Sequence, residues 1–186
     1  MSHLVLASGS PRRKELLTQL GYPFSVICTD VEEVRQANET AQQYVSRLSL
    51  DKAMAGVASA PAESVVIGSD TIVVCDQNVL EKPSDLAHAK QMLLQLSGRA
   101  HQVMTAVTVA TKQQQETVVV TTDVWFKPLS ELEIEQYWQS GEPCDKAGSY
   151  AIQGLGGRFV TRIEGSYHAV VGLPLFETDQ LLHKFL

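Results

Sequence analysis

The stretch LVLASGSPRR, residues 4–13, carries the signal that decides the local fold. A short apolar run ends at small residues, and two arginines open a second pattern, so the stretch predicts a buried strand followed by a helix. Pro11 suits the first helical position, where a missing N–H costs nothing, and Ser10 suits the N-cap before it. The turn directs free N–H groups, hydroxyls and two positive charges toward one place, which favours binding of an anion such as phosphate.

Strands and helices alternate along the rest of the chain. The predicted strands are 3–7, 23–28, 64–75, 101–111, 117–126 and 159–163. The predicted helices are 11–20, 39–58, 84–97, 130–139 and 175–185. The Val- and Thr-rich pair at 101–111 and 117–126 predicts a hairpin, which argues against a purely parallel sheet. This order predicts an α/β fold with a mixed sheet, and neither a dinucleotide-binding glycine motif nor a P-loop is present in the sequence.

Composition narrows the class of protein. The 186 residues suit a single domain, 1–186, that is large enough to bury a core. The formal net charge of -6 argues against broad binding to nucleic acid or to an anionic membrane. Three widely spaced cysteines without a C-x-x-C pair predict reduced thiols in the cytoplasm, and the histidines form no zinc-type pair.

Membrane targeting is not expected either. The N-terminal apolar run of about four residues is followed, rather than preceded, by arginines, which is not the pattern of a signal peptide. No apolar run approaches the ~18 residues of a membrane span. We therefore expect a cytoplasmic protein with no membrane partner and no nucleic-acid partner.

Lys52 occupies an unusual place on its predicted helix. The apolar positions on one face of this helix, 39–58, are Ala41, Val45, Leu48 and Ala55. At 100° per residue, Lys52 lies near the middle of that face, one turn beyond Leu48. Its side chain either extends to the surface along the apolar face or reaches into a polar cleft beneath the helix.

Asp70 interrupts an otherwise apolar strand, VVIGSDTIVV, residues 65–74. A carboxylate in such a run is costly unless it is paired, bound to a metal or open to a cleft. The small neighbours Gly68 and Ser69 permit close approach of a backbone or a ligand. Two interpretations follow: a structural aspartate that caps a turn or pairs with an arginine, or a functional carboxylate.

Other candidates have weaker signals. Lys82 precedes Pro83, which favours an extended backbone, and is either a surface lysine or a phosphate contact beside Arg12, Arg13 and Lys52. Glu32 and Glu33 form either a solvated acidic run or part of a magnesium site.

Gln153 lies in the segment KAGSYAIQG, residues 146–154, which is rich in glycine. Its amide can read a base edge with a paired donor and acceptor, or it can simply be the exposed amide of a structural loop.

Five segments together resemble the Maf family of nucleotide pyrophosphatases over nearly the whole chain. They are ASGSPRR at 7–13, GSDT at 68–71, LEKP at 80–83, DKAGSYAIQG at 145–154 and GSYHAVVGLP at 165–174. Thr71 and Gln153 resemble the YhdE-type branch, which acts on dTTP and UTP. The alternatives are the sister branch, which prefers 7-methyl-GTP, and a nucleotide-binding inhibitor of septum formation.

The resemblance implies a fold and a reaction. The implied fold is a two-lobed α/β domain with a mixed, elongated sheet flanked by helices around a deep cleft, similar to inosine-triphosphate pyrophosphatases. The implied reaction splits a nucleoside triphosphate between its α- and β-phosphates with a divalent cation, Mg²⁺ or Mn²⁺. A homodimer is common in the family.

The resemblance also implies roles for individual residues. The catalytic set is Asp70 as proton acceptor, with Lys52, Lys82 and Glu33. The substrate-binding set is Ser8, Arg12, Arg13, Thr71 and Gln153, in which Arg12, Thr71 and Gln153 select the nucleotide. Asp70 and Glu33 are the implied metal ligands. Asp70 either activates water directly or holds the metal whose bound water attacks, and the sequence leaves both possibilities open.

Overall fold

The computed structural model describes residues 3–186. Its strands are β1 (His3–Leu6), β2 (Phe24–Val26), β3 (Ser64–Cys75), β4 (Asn78–Leu80), β5 (Ala100–Ala110), β6 (Gln115–Phe126) and β7 (Val160–Glu164). Its α-helices are α1 (Pro11–Gln19), α2 (Ala41–Ser59), α3 (Leu86–Leu96), α4 (Glu131–Gln139), α5 (Tyr167–Val171) and α6 (Leu175–Phe185). Three short 3₁₀ helices lie at Glu142–Asp145, Ala147–Ser149 and Leu155–Phe159.

The strands form one mixed sheet in the order β2-β1-β3-β5-β6-β7, with β4 paired to β3. Strand β1 runs parallel to β2 and to β3. Strand β4 is antiparallel to β3, and β7 is antiparallel to β6. The prediction of an α/β fold with a mixed sheet is therefore confirmed.

The chain divides into two compact units. The first contains the residues up to Asp70, together with Thr105–Val120 and Gly172–Leu186. The second contains Thr71–Met104 and Thr121–Val171. Along residues 3–186, no helix is both long and apolar enough to cross a membrane.

Helix α2 packs closely on the sheet of the first unit. One apolar cluster there comprises Val5, Ala7, Ala53, Val57, Val66 and Ala110. A Cβ on Gly68 would lie 2.4 Å from the backbone oxygen of Ser49, and a Cβ on Gly56 would lie 2.7 Å from the Cβ of Ala7. Because real Cβ atoms do not approach so closely, these two glycines permit the contact between α2 and strands β1 and β3.

The core of the second unit is rich in aromatic rings. Phe126 makes edge-on contacts with Tyr150 and His101, at centroid distances of 4.7 and 5.0 Å. Tyr137 contacts Phe159 at 5.0 Å in the same manner. His101 is buried, and its Nε2 lies 2.7 Å from the Tyr150 hydroxyl.

Most predicted elements are present, with shifted ends. Ser10 caps α1 and accepts a hydrogen bond from the Arg13 N–H, and Gly21 follows the helix with a φ of +78°, as the sequence indicates. The glycine-rich segment 144–165 contains the end of the first 3₁₀ helix, the other two 3₁₀ helices and β7. The sequence did not predict β4 or α5, which span only three and five residues.

Candidate active site

The turn between β1 and α1 has the structure that the sequence predicts. The Ala7 N–H donates to the Ile67 carbonyl at 2.8 Å and continues the strand pairing, and the Ser10 N–H donates to the Ser8 hydroxyl at 3.1 Å. Arg12 and Arg13 then lie in the first turn of α1, each partly exposed. The turn therefore places two arginines in the first turn of a helix, an arrangement suited to an anion.

A backbone carbonyl orients the second of these arginines. The Arg13 Nε donates to the Gly172 carbonyl at 2.7 Å. The Ser69 hydroxyl lies 3.2 Å from the same carbonyl oxygen and 2.9 Å from the carbonyl oxygen of Ala106. Ser69 precedes Asp70 in β3, so this arrangement links the arginine to the strand that carries the carboxylate.

Lys52 lies between two carboxylates. Its ammonium is 2.6 Å from Asp70 Oδ1 and 2.8 Å from Glu33 Oε1. The Lys52 and Asp70 side chains are only 14% and 8% exposed, whereas that of Glu33 is 40% exposed. Of the two interpretations of Lys52, extension to the surface is wrong, and the polar environment is the one observed.

Burial and charge act in opposite directions on Asp70. Burial raises the pKa of its carboxyl above the ordinary value, while the charges of Lys52 and Arg13 and the hydrogen bond from Lys52 lower it, and the increase prevails. Burial likewise lowers the pKa of the Arg13 guanidinium, which the charge of Asp70 opposes. A desolvated carboxylate with a raised pKa accepts a proton more readily than a solvated one.

The two acidic side chains fit a divalent cation. Magnesium typically uses one or two protein carboxylates and completes its coordination with substrate phosphates and water. Asp70 and Glu33 supply two carboxylates around one ammonium position, one of them buried and the other open to solvent. Within residues 3–186 there is no cluster of three or more His, Cys, Asp or Glu side chains suited to a metal.

A scan against family models matches residues 3–185 to the family described as Maf-like protein. This chain belongs to the Maf family. A dTTP/UTP pyrophosphatase of Vibrio parahaemolyticus is 73% identical and covers 98% of this chain and 97% of its own length. The dTTP/UTP pyrophosphatase of Vibrio cholerae is also 73% identical, over 100% of this chain and 99% of its own. The corresponding protein of Salmonella typhimurium is 59% identical, over 100% and 94%.

Similarity to solved structures is more distant. The Ham1 protein of Staphylococcus aureus has a TM-score of 0.49 and 17% identity, and covers 67% of this chain and 72% of that one. The assignment to the Maf family rests on the sequence matches alone.

The remaining predicted site residues of this Maf-family chain lie in the second unit. Thr71 follows Asp70 in β3 and is partly exposed. Lys82 lies between β4 and α3, and Gln153 lies in the turn before the last 3₁₀ helix; both side chains are exposed. In the first unit, Lys52 forms ion pairs with Asp70 and Glu33, and the charge of Arg13 lowers the pKa of Asp70.

Some residues that shape the site of this Maf-family protein were not predicted. Ser69 was noted only for its small size, although its hydroxyl contacts two carbonyls. The position of its hydroxyl in a largely apolar strand was the available signal. Gly172 contributes through its backbone carbonyl. Tyr137 and Glu142 accept hydrogen bonds from N–H groups before and after Gln153, and the sequence has no short-range signal for either contact.

Proposed function

We propose that this Maf-family protein hydrolyses dTTP and UTP between the α- and β-phosphates, releasing a nucleoside monophosphate and pyrophosphate. The observation that carries the proposal is the buried ion pair of Lys52 and Asp70, joined by Glu33 and close to Arg13. The names of relatives at 59–73% identity over nearly the full chain support the choice of substrate.

In this proposal Asp70 accepts the proton of the attacking water. Its burial favours the protonated form, and the neighbouring cations keep it ionised until a proton is available. The water oxygen forms a bond to phosphorus as the α–β anhydride breaks, and its proton passes to Asp70. Proton transfer to a positioned carboxylate contributes about 10²–10⁴-fold to such reactions.

The cations of the site act on the phosphates. A nucleoside triphosphate carries about four negative charges, so several positive groups are needed to hold it and to stabilise the transition state. Lys52 and Arg13 provide two such charges next to the proton acceptor. Ser8 and Lys82 are further proposed phosphate contacts.

The proposal includes a divalent cation, Mg²⁺ or Mn²⁺. Asp70 and Glu33 would hold it, since they are the two carboxylates that share Lys52. When bound, such an ion neutralises phosphate charge and lowers the pKa of coordinated water. Asp70 and Glu33 would release Lys52 at least in part, which leaves its ammonium available to a phosphate oxygen.

Selection of the nucleotide is assigned to Arg12, Thr71 and Gln153. The Gln153 amide offers a donor and an acceptor, which can pair with the carbonyl and N–H of a thymine or uracil ring. We place the enzyme in the cytoplasm, where its role would be removal of unwanted pyrimidine nucleotides. The three cysteines, Cys28, Cys75 and Cys144, are free thiols, which supports a reducing compartment.

A substrate panel tests the proposal. Purified protein with Mg²⁺ or Mn²⁺ is assayed for pyrophosphate and for orthophosphate with canonical triphosphates, 5-methylated pyrimidine triphosphates and 7-methyl-GTP. We expect pyrophosphate release from dTTP and UTP in preference to the others. Preference for 7-methyl-GTP would overturn the substrate assignment, and binding without release of pyrophosphate would favour a nucleotide-binding regulator.

A further inference from the structure

We propose that Tyr137 and Glu142 are positioning residues that fix the backbone on both sides of Gln153 and so set the choice of nucleotide base. The inference rests on the proposed function, in which Gln153 contacts the base. Neither Tyr137 nor Glu142 is assigned a role in that function. Both lie in the second unit, as does Gln153.

Gln153 lies in a tight turn over residues 151–154. The Gly154 N–H donates to the Ala151 carbonyl at 3.2 Å, so Ile152 and Gln153 occupy the two central positions of the turn. Ile152 packs against the apolar core of the second unit, and Gln153 is exposed. The turn therefore anchors one central side chain and presents the other to solvent.

Tyr137 holds the start of this turn. It is fully buried on α4, and its hydroxyl oxygen accepts a hydrogen bond from the Ala151 N–H at 3.1 Å. The same hydroxyl donates a hydrogen bond to Glu142. One hydroxyl group thus joins the first residue of the turn to a carboxylate.

Glu142 holds the end of the turn. Its carboxylate accepts hydrogen bonds from the N–H groups of Leu155 and Gly156, both at 2.9 Å. Burial raises the pKa of this carboxyl, but the hydrogen bonds from Tyr137, Gly156 and Leu155 outweigh burial and lower it. Glu142 is therefore an ionised acceptor at the N-terminus of the last 3₁₀ helix, directly after the turn.

Two glycines leave room for this network. A Cβ on Gly154 would lie 1.8 Å from Glu142 Oε1, and a Cβ on Gly156 would lie 2.7 Å from the Tyr137 hydroxyl. Because no side chain can occupy these positions, the carboxylate and the hydroxyl reach the backbone directly. Gln153 consequently lies between two backbone segments that are both bound by the pair of Tyr137 and Glu142.

This placement affects discrimination more than hydrolysis. An exposed amide distinguishes bases only if its donor and acceptor point in fixed directions, whereas the phosphates contact other residues. Loosening the turn should lower affinity for the preferred bases and should leave the chemical step on the phosphates in place.

Tyr137→Phe and Glu142→Gln test the inference. Phe lacks the hydroxyl, and Gln replaces one carboxylate oxygen by an amide nitrogen that cannot accept. The matched control is Glu133→Gln. Glu133 lies on α4, the helix that carries Tyr137, where it pairs with Lys127 and caps the helix through Ser130. The readouts are KM and kcat for dTTP, for UTP and for a disfavoured triphosphate such as dATP, at a temperature where each variant is folded.

We expect both variants to lower the ratio of kcat/KM for dTTP to that for dATP by about tenfold, mainly through KM. In the double variant this ratio should fall little further than in either single variant, because the two residues act as one unit. The control should keep the wild-type ratio. An unchanged ratio in both variants, or an equal loss of kcat for every substrate, would overturn the inference.

The outcome is separable from that of the proposed function. If the wild-type protein releases no pyrophosphate from dTTP or UTP, the proposed function fails. If it does, and the variants discriminate as the wild type does, the positioning role alone fails.

Discussion

Ser69 and Arg13 both contact one oxygen, the backbone carbonyl of Gly172, at 3.2 and 2.7 Å. Ser69 precedes Asp70 in β3, and the charge of Arg13 lowers the pKa of Asp70. Both residues thus contact the same backbone oxygen in the first unit. A change at this carbonyl moves the proton acceptor and the cation together, so the geometry of the site depends on a residue with no side chain.

Ser69→Ala should therefore impair activity without touching substrate. The change leaves the buried carbonyl of Ala106 without its side-chain donor, and loss of a buried hydrogen bond costs about 1–3 kcal/mol of unfolding free energy. We expect a fall in kcat/KM for dTTP of about tenfold, because the Gly172 carbonyl that orients Arg13 loses its contact with Ser69. Urea unfolding and steady-state kinetics measure the two effects.

Ser59→Ala is the control for that change. Ser59 is exposed on α2 and donates to the Ala55 carbonyl at 3.1 Å, the same kind of side-chain to backbone bond away from the site. It should alter neither quantity appreciably. Equal activity of Ser69→Ala and wild type would refute the role given to the shared carbonyl.

Lys52→Met should be severe for both stability and activity. The change leaves the Asp70 carboxylate buried without its ammonium, and removing one partner of a buried pair costs about 3–5 kcal/mol. It also removes a charge that the proposal places on the phosphates, so kcat should fall by about 10²-fold or more. Thermal unfolding and pyrophosphate release at saturating dTTP give the two values.

Lys90→Met provides the comparison for Lys52. Lys90 also lies between two carboxylates, at 2.8 Å from Glu135 and 3.4 Å from Glu131, but this pairing is on the surface. Exposed pairs contribute about 0–1 kcal/mol, so stability and activity should stay close to wild type. Similar losses in the two variants would contradict the assignment of Lys52 to the site.

His101 makes the stability of the protein sensitive to acid. Burial lowers the pKa of its imidazole to about 4 in the folded state, against an ordinary value of 6.5. The unfolded chain therefore binds a proton at a pH where the folded one does not, and stability is lost as the pH falls from 6.5 toward 4. The contribution is about 3 kcal/mol over that range.

Urea unfolding between pH 7 and pH 4.5 measures this effect. His101→Phe should flatten the dependence, since it removes the group that protonates on unfolding. His183→Gln is the control, because the His183 side chain is 65% exposed on α6. A wild-type slope in His101→Phe would show that other groups produce the acid sensitivity.

The sequence identifies site residues where a charged side chain interrupts an apolar pattern. Lys52 on an apolar helix face and Asp70 in an apolar strand both stand out because a charge there requires a partner, and the structure shows that each is the partner of the other.

Interactions through the backbone have no such signal. Gly172 lies 159 residues from Arg13, and its carbonyl is chemically identical to every other one in the chain. Likewise, Tyr137 and Glu142 resemble ordinary core and polar residues in the sequence. Only in the fold do the N–H groups of Ala151, Leu155 and Gly156 donate to them. Only the folded arrangement distinguishes these groups, since tertiary contacts determine which acceptor each donor finds.

In a plot of kcat/KM against pH, the decline on the acid side (the acid limb) should occur at a higher pH than the ordinary pKa of an aspartate. The proposed proton acceptor must be ionised, and burial raises the pKa of Asp70 from 3.8, so kcat/KM for dTTP should decline with falling pH before that value is reached. Lys52→Met should move the limb to still higher pH, because the Lys52 charge lowers the pKa of Asp70. Asp70→Asn should lose nearly all activity at every pH.

Asp70→Asn should nevertheless fold well. A carboxyl whose pKa is raised in the folded state stabilises the fold at a pH below its ordinary pKa, and this contribution is lost as the pH rises. At pH 7 the ionised Asp70 carboxylate therefore destabilises the folded state, and replacement by a neutral amide removes that cost. The Lys52 ammonium keeps Glu33 as a partner at 2.8 Å in this variant. We therefore expect an unfolding free energy at pH 7 no lower than that of wild type, measured by urea titration. A destabilised Asp70→Asn, or an acid limb that Lys52→Met does not move, would show that Asp70 is held for structure rather than for proton transfer.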